Sequence, residues 1–122
     1  MTEFLSLEDL LGLTADLGVG PVRDLGLLSA AVERPATTLY GQEAYRTLDD
    51  KAAALLESIV INHALVDGNK RLGWLAAAVF YDLNGVDIDT DEDNSYDLVI
   101  AVATGNLRMP ELAAALGLLR TA

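Results

Sequence analysis

The side chains best suited to chemistry crowd into ten residues near the middle of the chain, Asn62-His63-Ala64-Leu65-Val66-Asp67-Gly68-Asn69-Lys70-Arg71. His63 is the only histidine, and Lys70 and Arg71 are two of eight basic residues in all. An imidazole titrates near neutrality and can take the proton of a hydroxyl. Asp67 brings a hard carboxylate oxygen of the kind magnesium prefers, and adjacent cations suit a phosphate. The set fits phosphoryl or nucleotidyl transfer with His63 as proton acceptor.

Periodicity on either side indicates what must hold these groups. Ala52, Leu55, Leu56, Ile59 and His63 fall on one helical stripe, which puts His63 near a helix C-terminus and facing inward. Leu72, Leu75, Ala76, Val79, Phe80 and Leu83 repeat the spacing, so a second helix begins close to Asn69 or Lys70. The first turn of that helix has backbone N–H groups without partners and a partial positive charge, which favour an anion. Lys70 and Arg71 oppose the helix dipole there, a local cost that a bound anion removes. Gly68 lets the chain turn tightly just before the helix.

Taken singly, each residue has an ordinary reading. A lone histidine on an apolar stripe is commonly a hydrogen-bonded core residue, and Asp-Gly-Asn is a common connection between helices. The combination from His63 to Arg71 is what points to a site.

The run His63-Ala-Leu-Val-Asp67-Gly68-Asn69-Lys70-Arg71 resembles the signature of the Fic/Doc family, His-x-Phe-x-Asp/Glu-Gly/Ala-Asn-Gly/Lys-Arg, and Lys70 points to the Doc (death-on-curing) toxin branch. Upstream, Arg23-Asp24-Leu-Gly-Leu-Leu28, Tyr40-Gly-Gln-Glu-Ala-Tyr45, Thr47-Leu48 and Lys51-Ala-Ala-Ala-Leu-Leu56 are similar to the Doc approach to that motif, so the likeness runs from about Leu5 to Leu119. It implies a small helical toxin of a bacterial toxin–antitoxin pair that phosphorylates a threonine of elongation factor Tu from ATP and blocks translation. It implies His63 as general base, Asp67 as the carboxylate associated with Mg2+, and Asn69, Lys70 and Arg71 as phosphate-binding groups, with Gly68 shaping the loop. It places a flap over which the target docks at Tyr40, Gly41 and Tyr45. A Phd-like antitoxin, whose tail folds as a helix into a groove near the site, is the implied partner. An internal inhibitor helix like that of many Fic proteins is not expected here, and inhibition is expected from outside. Leu65 stands where Phe is usual, Ala64 where Pro or Ile is frequent, and Leu72-Gly73 where Thr-Ala is common; every polar position is kept.

At 122 residues the chain is one domain's worth, expected to span 1–122, and buries roughly two-thirds of its unfolded surface. A hydrophobic fraction of 52% with only 6% aromatic suits helices packed through Ala and Leu. A net charge of −11 disfavours nucleic acid and anionic lipid, and a cationic pair in that field favours a small anion. With no cysteine, no long apolar run and no basic opening, a soluble intracellular protein is expected, and the resemblance implies the bacterial cytoplasm.

Ser6 with Asp9 opens a helix to about Leu17, which Gly18 ends. The following Gly18-Val-Gly20-Pro-Val-Arg23 has neither the sixth glycine nor the preceding strand of a dinucleotide fingerprint and reads as a loop. Asp24 caps a second helix that closes at Arg34-Pro35, and from Pro35 to Thr47 the periodicity vanishes. Val86 to Thr90 alternates briefly like an extended piece, and the acidic run from Asp87 to Asp93 lacks the glycine and the last glutamate of a calcium loop. Asp93 or Asn94 then caps a helix to about Gly105, and Pro110 opens the last one as its first residue. The expectation is an all-α bundle of about six helices. Two other functions share the sequence: AMP transfer at the same site, or a non-catalytic module that only binds its antitoxin.

Overall fold

A computed structural model of the protein describes residues 1–121. Six α-helices make up most of the described residues: α1 (Leu7–Leu17), α2 (Leu25–Glu33), α3 (Leu48–Asn62), α4 (Asn69–Leu83), α5 (Glu92–Ala103) and α6 (Glu111–Gly117). The fold is all-α, as the six apolar stripes require.

The helix starts follow from side chains that replace missing backbone partners. Ser6 and Asp9 form a reciprocal capping box at α1, as do Thr47 and Asp50 at α3. Asp24 accepts from Leu27 N–H to open α2. At α5 the cap is Asp91, whose carboxylate accepts from Asn94 N–H at 2.7 Å. That corrects the expectation of Asp93 or Asn94: starting earlier places Glu92 and Asp93 in the first turn, where the helix dipole favours acids. Pro110 likewise lies one position before α6.

α3 is the central helix. Its residues from Lys51 to Leu56 are all buried, and it packs against α2, α4, α5 and α6. Burial on all sides suits a helix whose middle is Ala52-Ala53-Ala54-Leu55-Leu56. Small residues let the antiparallel α3 and α4 come close: a Cβ on Gly73 would lie 2.8 Å from Val60 Cγ2 and 3.0 Å from Leu56 Cδ1. Gly73 thus fixes how near α4 stands to α3, and with it the loop between them.

The aperiodic segment before α3 contains a 3-10 turn (Arg34–Ala36) and a hairpin of β1 (Thr38–Leu39) and β2 (Gln42–Glu43), with Thr38 opposite Glu43 and Leu39 opposite Gln42. Tyr40 and Gly41 form its two-residue turn with φ of 54° and 76°, the pair of positive angles that matches strand twist in a tight hairpin. The stretch after α4 is extended, as its alternation suggests. It pairs with the C-terminal segment, Asp89 N–H donating to Leu119 O at 2.8 Å and Thr121 N–H to Asp87 O at 2.9 Å. Among the described residues no helix is long and apolar enough to cross a membrane.

Candidate functional site

The residues from His63 to Arg71 occupy the turn between α3 and α4 and the first turn of α4. α3 stops at Asn62, and His63 is its C-cap with φ 52° and ψ 47°. This left-handed conformation swings the chain off the helical path, so His63 is exposed. The inward orientation expected from the apolar stripe is therefore corrected. The stripe ends with Ile59 and Val60, and a position read off its continuation no longer applies once the helix has ended.

Ala64 and Leu65 then turn into the core, 2% and 1% exposed. Leu65 fills the slot that Phe would take in the signature, and it anchors the loop by burial. The Asn69 side chain, itself buried, grips the same residue: its Oδ1 accepts from Leu65 N–H at 3.0 Å and its Nδ2 donates to Leu65 O at 2.9 Å. Both polar ends of Asn69 are engaged in closing the turn. Its side chain shapes the turn, while its backbone N–H belongs to the first turn of α4.

A second loop braces the first. Residues 20–24 lie along 63–67, with Gly20 N–H donating to Asp67 O at 3.0 Å, Val66 N–H to Pro21 O at 2.9 Å, and Arg23 N–H to Ala64 O at 2.7 Å. The Arg23 guanidinium donates to the carbonyl of His63 itself. Gly68, the N-cap of α4, sits at φ 94°, and a Cβ there would fall 2.3 Å from Val19 Cβ. Gly68 is required both by its backbone angle and by the pressure of this second loop.

Among the described residues no side chain caps α4. Its first N–H groups are left for solvent or a ligand. Asp67, Lys70 and Arg71 are all exposed, and Arg71 Nη2 stands 4.0 Å from Asp67 Oδ2, a loose contact that leaves the carboxylate available. These residues with Gly68 and Asn69 line one wall of a cleft of about 710 Å³. Leu17, Trp74 and Leu75 extend that lining, and Glu92, Asp93, Tyr96, Val99 and Ile100 of α5 complete it. His63 stands at the head of the loop and is not part of the lining. The volume suits a nucleotide-sized ligand.

A family model described as the Fic/DOC family matches residues 4–81, well over half of the chain. The chain belongs to the Fic/DOC family. It is also 52% identical over 120 residues to the protein named Toxin Doc of Mycolicibacterium smegmatis (strain ATCC 700084 / mc(2)155), an overlap of 95% of this chain and 92% of that protein. Its place is in the Doc branch, to which Lys70 also points.

Within this Fic/DOC chain the departures from the signature are apolar and buried. Leu72 is fully enclosed on the core side of α4, so it stands away from the exposed wall that carries Lys70 and Arg71. Of the flap residues, Tyr40 is fully exposed at the hairpin tip beside Gly41. Tyr45 is turned inward: its hydroxyl accepts from Arg34 Nε at 2.7 Å, and the guanidinium lies 5.2 Å from its ring centroid. Tyr45 holds the hairpin in place, leaving Tyr40 and Gly41 as the outward face. Trp74, Val19 and the role of Arg23 were not apparent from the residues. Trp74 lies off the apolar stripe, three and four residues after Arg71 and Lys70 and so on their face of α4, and the brace from residues 20–24 is made mostly by backbone groups, which carry no side-chain signature.

Proposed function

We propose that the protein is the toxin of a type II toxin–antitoxin pair and transfers the γ-phosphoryl group of ATP to a Ser/Thr hydroxyl of a protein target. The relative named Toxin Doc supports the toxin part of this reading. The single observation that carries the chemistry is the pairing of an outward-facing His63 with an uncapped, cationic helix start across one doubly braced turn.

His63 takes the proton of the target hydroxyl as its oxygen attacks the γ-phosphorus, and ADP leaves. The first N–H groups of α4 with Lys70 and Arg71 hold phosphate oxygens and stabilise charge as it develops. Asn69 keeps the turn at the shape these groups need. Asp67, exposed and only loosely paired, fits the role of a magnesium ligand. Magnesium, when bound, adds positive charge at the phosphates. Elongation factor Tu is the target that the resemblance implies, and a Phd-like antitoxin the inhibitor.

Lys70 favours phosphorylation over AMP transfer, because a flexible ammonium occupies the position where a glycine would let the backbone approach the anion. The test uses bacterial extract, magnesium and ATP labelled at either the α or the γ position. Label from γ-ATP alone should appear on a protein. Label from α-ATP would mean adenylylation, and none from either would leave a binding module. Adding a Phd-like antitoxin should stop transfer and raise the melting temperature.

A further inference from the structure

We propose that Lys51 is a positioning residue for the protein target, clamping the β1–β2 hairpin to α3 so that its Tyr40–Gly41 tip, the docking flap that the resemblance implies, is held in one position. The inference rests on the transfer reading above. Every residue from Ala36 to Ala44 is exposed, so the hairpin has no apolar attachment to the body. Two cations hold its C-terminal leg instead. Lys51, 2% exposed on α3, donates from Nζ to Tyr45 O at 2.6 Å and Arg46 O at 3.2 Å, and pairs with the Glu43 carboxylate at 3.3 Å. Arg34 holds Tyr45 from the other side and is itself tied to α3 through Glu57 at 2.8 Å and Ser58 at 2.9 Å.

The position of Lys51 would tolerate an apolar side chain as far as core packing goes, since Ala52 to Leu56 fill the same helix without charge. Burying an ammonium carries a desolvation cost, and a buried ion is retained to best effect where it fixes one arrangement among several. All three of its partners lie on the hairpin or its leg, and three acceptors match its three donors. In Lys51→Met the carbonyls of Tyr45 and Arg46 would lose their donor and recover a partner only by lifting toward water. The hairpin would then sample many positions, while His63 and the start of α4 stay as they are.

The test compares wild type with Lys51→Met in two ways. The first is limited tryptic cleavage after Arg46, which should quicken by about tenfold as the leg opens. The second is transfer kinetics: KM for the protein target should rise by about tenfold, with kcat and KM for ATP held within about twofold. Tyr45→Phe, which keeps the ring and loses the hydroxyl that Arg34 binds, should shift both readouts the same way by less, and it carries the test if Lys51→Met does not fold. Unchanged cleavage, or a loss confined to kcat, overturns the proposal. If wild type transfers nothing to any target, the transfer reading fails by itself, and cleavage at Arg46 alone decides whether Lys51 holds the hairpin.

Discussion

His63 occupies a backbone conformation that suits glycine and is strained for imidazole-bearing residues. With φ 52° and ψ 47° it ends α3 in the left-handed region, where a non-glycine residue costs about 1–2 kcal/mol. Glycine would remove most of that cost while adding flexibility in the unfolded chain, for a net gain of about 0.5–1 kcal/mol. The protein carries the less stable residue at the position where the imidazole reaches solvent beside the uncapped start of α4. His63→Gly should therefore raise the urea midpoint slightly and abolish transfer, and His63→Ala should lose transfer by about 10²–10⁴-fold with no gain in stability. Unfolding curves and single-turnover transfer on the same preparations check both. A His63→Gly protein that is less stable than wild type would show that the side chain is a structural contact and would weaken its assignment as base.

At the scale of elements, the site is a turn held between two helices and a second loop, and its tolerance is set by the closest approach. Gly68→Ala would put a Cβ 2.3 Å from Val19 Cβ at a φ of 94°, so strain and overpacking act together and should cost about 2–4 kcal/mol. Adding Val19→Ala should rescue little, because it removes the γ-methyls and leaves the nearest atom in place. Thermal melts of the single and double variants measure this, and full recovery in the double variant would refute the account. The helices that flank the turn were legible from the spacing of Leu, Ala, Val and Phe, and the starts of α1 and α2 from Ser6, Asp9 and Asp24. The turn itself was legible in composition but not in orientation. Periodicity gives the face of a residue only while the helix lasts, and nothing in Asn62-His63 marks its end as a glycine would. The hairpin at Thr38–Glu43 was missed because two-residue strands are too short to alternate, and the brace from Gly20 to Asp24 because backbone hydrogen bonds leave no pattern in side-chain types.

At the scale of the molecule, α3 and α4 carry the candidate site at one end and a polar knot at the other. Tyr81, buried near the end of α4, donates its hydroxyl to Asp49 Oδ1 at 2.7 Å, and Arg120 in the C-terminal segment lies 3.4 Å from Asp49 Oδ2. The knot ties the start of α3, the end of α4 and the C-terminal segment together. Burial pushes the Tyr81 phenol well above its ordinary pKa, and its hydrogen bond to Asp49 pushes in the same direction. The folded protein therefore keeps the Tyr81 proton at a pH where the unfolded chain releases it, near a pKa of about 10. The contribution is full below that pH, and stability falls as pH rises past it, by up to ~1.4 kcal/mol per pH unit. Tyr81→Phe should be less stable than wild type by about 1–3 kcal/mol at neutral pH, because Asp49 loses a donor. The gap between the two proteins should then narrow above about pH 10, by up to ~1.4 kcal/mol per pH unit, since phenylalanine has no proton to lose. Urea unfolding of both proteins at neutral and alkaline pH measures this, and a gap that stays constant across that range would rule out Tyr81 as its source. Each helix has 15 residues, so roughly 20 Å of helix separates the knot from the turn, and the close packing around Gly73 lies between them. Transfer at neutral pH and moderate temperature should accordingly be the same in Tyr81→Phe as in wild type, because a loosened far end leaves the helix contact that places His63, Lys70 and Arg71 intact.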